Sequence, residues 1–131
     1  MSPPIIAVVG ATGVVGRQVV AALHRQDVEP EDVRLFASTD SEGEELDYGD
    51  ETLPVEKIEA DAFRGVQAVI LACPPNESRR IAAQARQQGC WIVDTSSADR
   101  VDLSVPLLSG RPNDAALLQQ FSGRMVSLAH P

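Results

Sequence analysis

An apolar run, a glycine-rich turn and a helix-like segment follow one another without a break near the N-terminus of this 131-residue chain. Residues 5–9, Ile-Ile-Ala-Val-Val, hold no polar position, which is typical of a strand buried in a parallel sheet. Glycines follow at positions 10, 13 and 16, and the next residues have the apolar spacing of a helix. A turn of this kind directs the free N–H groups and positive dipole end of the helix toward a phosphate. The segment therefore predicts a dinucleotide-binding unit.

Each glycine of the turn has a predicted role. Gly10 permits the tight turn, Gly13 lets a ligand approach the backbone, and Gly16 lets the helix pack closely on the strand. The spacing is GxxGxxG and not GxGxxG, so the strand–turn–helix context carries much of the prediction. The alternative is a turn whose glycines serve backbone geometry alone. The predicted cofactor contacts here are Gly10, Ala11, Thr12, Gly13, Val14, Val15 and Gly16.

Apolar runs and helix-like segments alternate along the rest of the chain. Strands are predicted at 33–37, 66–73, 91–94 and 125–129, and helices after Gly13, over 76–88 and from about 112. Asn76 is the expected N-cap of the second helix and Gly89 its C′ residue. The acidic stretch 41–51 is expected to be a loop, or a small hairpin that turns at 48–50 and returns through 52–55. This pattern predicts one α/β domain over 1–131, a Rossmann-like, doubly wound, mainly parallel sheet with helices on both faces.

Ligands of such folds lie beyond the carboxyl ends of the strands. The segments that follow Val9, Ala37, Cys73 and Asp94 are therefore expected to face one crevice. Cys90 is expected to be a buried thiol at a strand start, and His24 a solvated residue at a helix end.

Composition excludes several classes of function. Nineteen acidic against eleven basic residues give a net charge of −8, which disfavours binding to nucleic acid or to anionic membranes. No apolar run reaches the ~20 residues needed to span a bilayer, and no signal-peptide pattern precedes residue 5. A cytoplasmic protein with reduced cysteines is expected. The two cysteines lack metal-ligand spacing, so no metal site is predicted.

Four segments, in order, resemble the N-terminal NAD-binding domain of aspartate-semialdehyde dehydrogenases. They are VVGATGVVG at 8–16, RLFAS at 34–38 with Ser41 and Gly43, DTSSADR at 94–100, and VPLL at 105–108 with Asn113. The N-acetyl-glutamyl-phosphate reductases share the glycine turn and something like residues 71–74, but match 94–100 less well.

The resemblance implies NAD or NADP as cofactor and a homo-oligomer in a longer form of the protein. In the family a cysteine thiolate attacks the aldehyde, hydride passes to the cofactor, and phosphate cleaves the thioester. Cofactor contacts beyond the turn are then expected at Ser38, Asp40, Ser41, Cys73, Pro74 and Ser96, and substrate-phosphate contacts at Arg100 and Asn113. For Arg100 the alternative is a surface pair with a nearby aspartate, and for Ser96 a polar loop that caps strand-end carbonyls.

Three departures from the family pattern matter. Asp40 stands where the family has an arginine for the 2′-phosphate of NADP, which favours NAD unless Asp40 is merely an exposed loop acid. Pro74-Pro75 replaces a Gly-Gly pair and removes N–H donors. The family's catalytic cysteine would follow Pro131, and neither Cys73 nor Cys90 aligns with it. No catalytic residue is therefore predicted, and His130 would approach the crevice only in a longer protein.

Three functions stay open at this point. The first is the cofactor domain of an aspartate-semialdehyde dehydrogenase-like oxidoreductase of amino-acid biosynthesis, inactive alone and without the family's substrate and dimerisation domain. The second is a non-catalytic dinucleotide-binding regulatory module. The third is the cofactor domain of an enzyme like the N-acetyl-glutamyl-phosphate reductases.

Overall fold

The computed structural model describes residues 5–37, 43–95 and 125–127. Several predicted features lie outside these residues: Ser38, Asp40, Ser41, Ser96, Arg100, Asn113, the helix expected from about 112, and residues 128–129 of the last strand.

The described residues include a sheet of seven strands. They are β1 (Ile6–Val9), β2 (Val33–Phe36), β3 (Glu45–Tyr48), β4 (Glu51–Glu56), β5 (Ala68–Leu71), β6 (Trp91–Asp94) and β7 (Met125–Ser127). Their order across the sheet is β3-β4-β2-β1-β5-β6-β7. Strand β3 runs antiparallel to β4, and every other neighbouring pair is parallel. The predicted mainly parallel sheet is confirmed.

Two helices cover the two faces of this sheet. Helix α1 (Val14–Arg25) follows β1, helix α2 (Pro75–Gln87) follows β5, and a 3-10 turn at Pro30–Asp32 precedes β2. Successive strand residues point to opposite faces. Val8, Leu35 and Ile70 accordingly lie in one buried cluster with Val19 and Leu23 of α1. The opposite cluster joins α2 to the alternate strand positions, with Val9, Phe36, Leu71, Phe63, Ile81 and Ala85 among its members. Because both faces are buried, the two central strands β1 and β5 are apolar at every position.

Both helices end in the same backbone motif. At the end of α1, the Val28 N–H donates to the Leu23 carbonyl and the Asp27 N–H to the His24 carbonyl. At the end of α2, the Cys90 N–H donates to Ala85 and the Gly89 N–H to Arg86. These are the paired bonds of the Schellman motif, whose C′ residue takes a positive φ. Gly89 has φ +81°, which confirms its predicted C′ role, whereas Asp27 fills the same position at φ +63°.

The start of α2 differs from the prediction. Its N-cap is Pro74 and its first residue is Pro75, so the interpretation of Asn76 as N-cap was wrong. Proline suits the first helical position because its fixed φ is already helical and that N–H would have no intrahelical acceptor. The Asn76 Oδ1 instead accepts a hydrogen bond from Arg79 at 3.1 Å.

The acidic segment forms a hairpin. The hairpin alternative with its turn at 48–50 is confirmed, since β3 pairs antiparallel with the returning arm β4. Leu46 and Tyr48 are buried while Glu45 and Asp47 are exposed. The acids therefore occupy the outward positions of a half-buried strand, with Gly49 at φ +65° in the turn.

Candidate cofactor-binding site

The carboxyl ends of four parallel strands lie side by side. Val9 is in register with Phe36 on one side and with Leu71 on the other, and Leu71 is in register with Asp94. Hydrogen bonds continue just past the strand ends, since the Gly10 amide donates to Phe36 and the Ala72 amide to Val9. The segments after β1, β2, β5 and β6 therefore reach one edge of the sheet, as predicted. We call it the carboxyl edge.

The glycine turn is tightly packed at two of its three glycines. Gly10 has φ +85°, and a Cβ on it would lie 2.5 Å from the Ala72 carbonyl oxygen. A Cβ on Gly16 would lie 1.9 Å from the Gly10 carbonyl oxygen. The predicted geometric roles of Gly10 and Gly16 are confirmed, with the refinement that Gly16 brings α1 against the turn itself.

Gly13 is different, because nothing within the protein requires a glycine there. Its φ of −77° and ψ of 174° are open to any residue, and a Cβ would meet only the Gly10 oxygen, at 3.5 Å. Gly13 is the N-cap of α1, and no side chain caps the helix. The first-turn amides at Val14, Val15 and Gly16 have no acceptor within the helix. A glycine that faces open space beside free N–H groups leaves a cradle that a pyrophosphate fits.

Arg17 braces this cradle and was missed in the sequence. Its Nε donates to the Thr12 carbonyl oxygen at 2.9 Å, one helical turn after Gly13. Helical side chains lean toward the N-terminus, which brings the guanidinium back over the turn. Val14 in the same turn is 78% exposed, an unusual state for a valine next to a buried core. The spacing of an arginine four residues after Gly13 was the available signal.

A pocket of about 270 Å³ opens beside the turn, between the ends of β1, β2 and β4 and the start of α2. Its described lining is Val9, Gly10, Ala37, Lys57, Ile58, Cys73, Glu77, Arg80 and Ile81. We call it the carboxyl-edge pocket. Of the predicted cofactor contacts it includes Gly10 and Cys73. Lys57, Glu77 and Arg80 were not predicted, because sheet order and helix placement, not sequence proximity, bring them together.

Both cysteines are buried. Cys73 is buried, with its Sγ 3.3 Å from the Ser78 Oγ, while the Ser78 hydroxyl donates to the Cys73 carbonyl at 3.0 Å. Cys90 is confirmed as a buried thiol at a strand start, and its Sγ donates to the Val66 carbonyl at 3.1 Å. Burial raises the pKa of the Cys90 thiol to about 11, which keeps it protonated at neutral pH.

Two further polar residues, Thr95 and His24, make contacts within the protein. Thr95, after β6, is buried, and its hydroxyl donates to the Leu71 carbonyl at 2.6 Å. His24 lies in the last turn of α1 and is exposed as predicted, but its ring also meets Tyr48 edge-on, with centroids 5.2 Å apart. Among the described residues, no group of three or more His, Cys, Asp or Glu side chains is placed to hold a metal ion. No helix in this part of the chain is both long and apolar enough to cross a membrane.

Comparison with known proteins identifies the class to which this fold and turn belong. Residues 5–120 match the family described as "Semialdehyde dehydrogenase, NAD binding domain". The match spans most of the chain, so the chain belongs to this family, and its cofactor class is NAD or NADP.

Particular relatives narrow the class. The chain is 33% identical over 115 residues to an aspartate-semialdehyde dehydrogenase of Synechocystis sp., covering 88% of this chain and 34% of that protein. It is 41% identical over 99 residues to a USG-1 protein homolog of Azotobacter vinelandii, covering 75% and 30%. A solved structure of a probable aspartate-semialdehyde dehydrogenase from Pseudomonas aeruginosa matches at a TM-score of 0.69 and 28% identity, covering 96% of this chain and 37% of that one. The chain spans about a third of the length of the curated relatives it matches.

Proposed function

We propose that this chain is the cofactor-binding part of an oxidoreductase that interconverts a semialdehyde and an acyl phosphate, with residues 1–131 forming a single domain. The observation that carries the proposal is the open cradle at Gly13, set in a domain of the semialdehyde dehydrogenase family. Relatives named aspartate-semialdehyde dehydrogenase support an aspartate-derived substrate and a role in amino-acid biosynthesis.

In this proposal each part of the turn has one task. The free amides at the start of α1 bind the pyrophosphate, and Gly13 allows the phosphate oxygens to approach the backbone. Arg17 positions the turn through the Thr12 carbonyl. Bound NAD or NADP would supply the hydride acceptor for aldehyde oxidation. Ser38, Asp40, Ser41, Pro74 and Ser96 remain proposed cofactor contacts, and Arg100 and Asn113 proposed contacts of the substrate phosphate.

The first test measures dinucleotide binding by titration calorimetry. Replacing Gly13 by valine fills the cradle and should weaken binding of both NAD and NADP by about 100-fold or more, since several charge-assisted hydrogen bonds are lost together. The melting temperature should stay close to the parent value, because the Cβ has room. Ala21→Val is the matched control, since it places the same valine side chain at an exposed position of the same helix. Equal affinities for Gly13→Val and the parent would place the binding site elsewhere.

The second test concerns turnover. Both thiols lie in buried structural contacts, since Cys90 is protonated and the Cys73 Sγ lies against the Ser78 hydroxyl. We therefore expect the 131-residue chain to bind the cofactor but not to reduce it when given aspartate semialdehyde, phosphate and NAD or NADP. Steady turnover that a Cys73→Ser variant abolishes would overturn this expectation and make Cys73 the nucleophile. A longer form that carries the missing thiol and turns over would distinguish an enzyme part from a regulatory module.

A further inference from the structure

On one side the sheet ends at β3, along the length of that strand. Strand β3 stands last in the strand order, and β4 is its only neighbouring strand among the described residues. We call this side of the sheet the β3 edge. An outermost strand presents a row of backbone N–H and C=O groups that an added strand can pair with. The β3 edge therefore has the donors and acceptors to extend the sheet with a segment of another chain.

The hairpin register shows which backbone groups point outward at this edge. Glu44 and Val55 form a hydrogen-bonded pair, since the Val55 N–H donates to the Glu44 carbonyl at 2.8 Å. Hydrogen-bonded and non-hydrogen-bonded pairs alternate along an antiparallel ladder. Glu45 and Asp47 consequently occupy the non-hydrogen-bonded positions of the pairing with β4. The N–H and C=O groups of these two residues point away from β4, toward the open side of the sheet.

Carboxylates determine which kind of chain fits the β3 edge. Residues 43–56 hold six acids and no base, and within the described part of the chain only Glu56 of the six joins an ion pair. The side chains of Glu45 and Asp47 are exposed and lie on the same face of β3. The Glu45 carboxylate accepts a hydrogen bond from the Thr52 hydroxyl at 2.7 Å, which holds it beside the strand. Lysine or arginine at alternate positions of an added strand would lie opposite these two carboxylates.

A second copy of this chain does not suit the β3 edge. Pairing β3 with β3 of another copy would bring the carboxylates of Glu45 and Asp47 against their equivalents, and like charges directly opposite each other destabilise a sheet. Charges on an outermost strand are a general means of blocking such self-pairing. A cationic strand meets no such repulsion, and the net charge of −8 favours its approach.

We propose that the β3 edge binds an extended basic segment of a partner protein, which adds a strand beside β3 and places lysine or arginine against Glu45 and Asp47. Main-chain hydrogen bonds at positions 45 and 47 supply affinity, and the two carboxylates supply specificity. Strands β4 and β2 separate β3 from β1, whose end carries the glycine turn. The inference therefore goes beyond the proposed function and does not depend on it.

The experiment measures the binding of fluorescein-labelled peptides to the full chain by fluorescence anisotropy. One peptide alternates threonine and lysine over about eight residues, and its counterpart has glutamate in place of lysine. The lysine peptide should bind at least about 10-fold more tightly, and the difference should shrink as salt is added. Asp47→Lys should weaken binding of the lysine peptide about 5-fold or more, and Asp47→Asn about 2-fold.

Two controls separate strand addition from general attraction between opposite charges. Glu77→Lys makes the same change of charge at an exposed position of α2, which packs against β5 and β6, and should leave the affinity nearly unchanged. Methylation of one alternate set of peptide backbone nitrogens should abolish binding, and methylation of the other set should preserve it. The reason is that only one side of an added strand faces β3. Bound peptide should also slow amide hydrogen exchange at positions 45 and 47 about 10-fold or more.

Three results would each overturn the inference. They are equal binding of the lysine and glutamate peptides, an equal loss of affinity in Glu77→Lys and Asp47→Lys, and equal effects of the two methylated peptides. The melting temperature of each variant is measured first. If Asp47→Lys does not fold, Asp47→Asn and the methylated peptides on parent protein still decide between the outcomes.

Discussion

Two pockets of nearly equal volume lie at opposite edges of the same sheet and carry opposite charge. The carboxyl-edge pocket holds about 270 Å³ and has Lys57 and Arg80 on its rim. The second pocket, of about 250 Å³, lies where β2 and β4 begin, and we call it the amino-edge pocket. Its described lining is His24, Asp27, Val28, Glu29, Pro30, Tyr48, Asp50 and Glu51, with four carboxylates among them. Volume alone would not distinguish the two as ligand sites.

The difference follows from the direction of the helices. In a parallel α/β sheet each helix begins at the carboxyl edge and ends near the amino edge. The first-turn N–H groups of α1 therefore point into the Gly13 cradle, and its last carbonyls lie beside the amino-edge pocket. Side-chain charge reinforces this polarity, since Lys57 and Arg80 outnumber Glu77 in the carboxyl-edge pocket and four carboxylates line the amino-edge pocket. A chain with a net charge of −8 can thus still offer an anion a favourable edge.

The amino-edge pocket is closed by a tyrosine with a structural role. The Tyr48 hydroxyl donates to the Val28 carbonyl, and the ring meets His24 edge-on. Burial, followed by the nearby charges of Glu29, Asp32 and Asp27, raises the pKa of Tyr48 to about 12. This edge ties the hairpin to the end of α1, whereas the carboxyl edge presents the first-turn amides of α1 and the exposed side chains of Lys57 and Arg80.

The largest effect on the free energy of unfolding should come from a substitution of Gly16 at the carboxyl edge. A side chain there would overlap the Gly10 carbonyl, so Gly16→Val must displace α1 from the turn. We expect the free energy of unfolding, measured in urea, to fall by about 3 kcal/mol or more. Gly13→Val makes the same chemical change in the same turn where a Cβ has room, and should cost less than about 1 kcal/mol. Equal losses at the two positions would contradict the distinction between packing and ligand glycines.

The features that depend on a local sequence pattern, the buried strands and the glycine turn, could be predicted from the sequence. Continuous apolar runs identified the buried strands, because residues that face two covered sides are all apolar. The glycine turn could also be interpreted from the sequence, because its strand, turn and helix are adjacent in the chain. Strand β3 was predicted only as an alternative to a loop, because acids at its outward positions hide the alternation of Leu46 and Tyr48. The start of α2 was misplaced because a polar N-cap was expected, whereas Pro74 is the N-cap and Pro75 the first helical residue.

The charges of the two pockets could not be predicted from the sequence in the same way. Lys57 and Arg80 are distant in the chain, and only the position of β4 beside β2 and the packing of α2 bring them to one pocket. The preference for NAD expected from Asp40 stays a prediction, because that residue lies outside the described residues. Electrostatic environment depends on tertiary arrangement, which a motif of a few residues does not contain.

A smaller effect concerns the amino edge, where Tyr48 should make the free energy of unfolding depend on pH. Because the folded state holds the Tyr48 proton up to about pH 12 while the unfolded chain releases it near pH 10, stability should fall as pH rises through this range. Cys90, with its pKa raised to about 11, acts in the same direction from about pH 9. Tyr48→Phe should cost about 1–2 kcal/mol at neutral pH, since the Val28 carbonyl loses its donor.

The chain contains a single tyrosine, so the near-ultraviolet absorbance of tyrosinate follows Tyr48 directly. The parent should titrate well above the ordinary tyrosine value, and Tyr48→Phe should show a shallower loss of stability between about pH 10 and 12. Cys90→Ala should retain the tyrosine titration and reduce the loss of stability that begins at about pH 9. A Tyr48 that titrated near pH 10 in folded protein would contradict the buried, acid-surrounded setting.

The smallest effect compares the ends of the two helices. Asp27 and Gly89 occupy the same C′ position of the same hydrogen-bonded motif, at φ +63° and +81°. A residue with a Cβ is strained at this φ and glycine is not, so Asp27→Gly should raise the free energy of unfolding by about 0.5–1 kcal/mol. It also removes one of the carboxylates that raise the pKa of Tyr48, so the tyrosinate titration should move to lower pH. Asp27→Asn keeps the side-chain size and removes the charge, so it should move that titration equally without the gain in stability. If Asp27→Gly left stability unchanged, the carboxylate would be compensating the strain, and the acids of the amino edge would contribute to the fold.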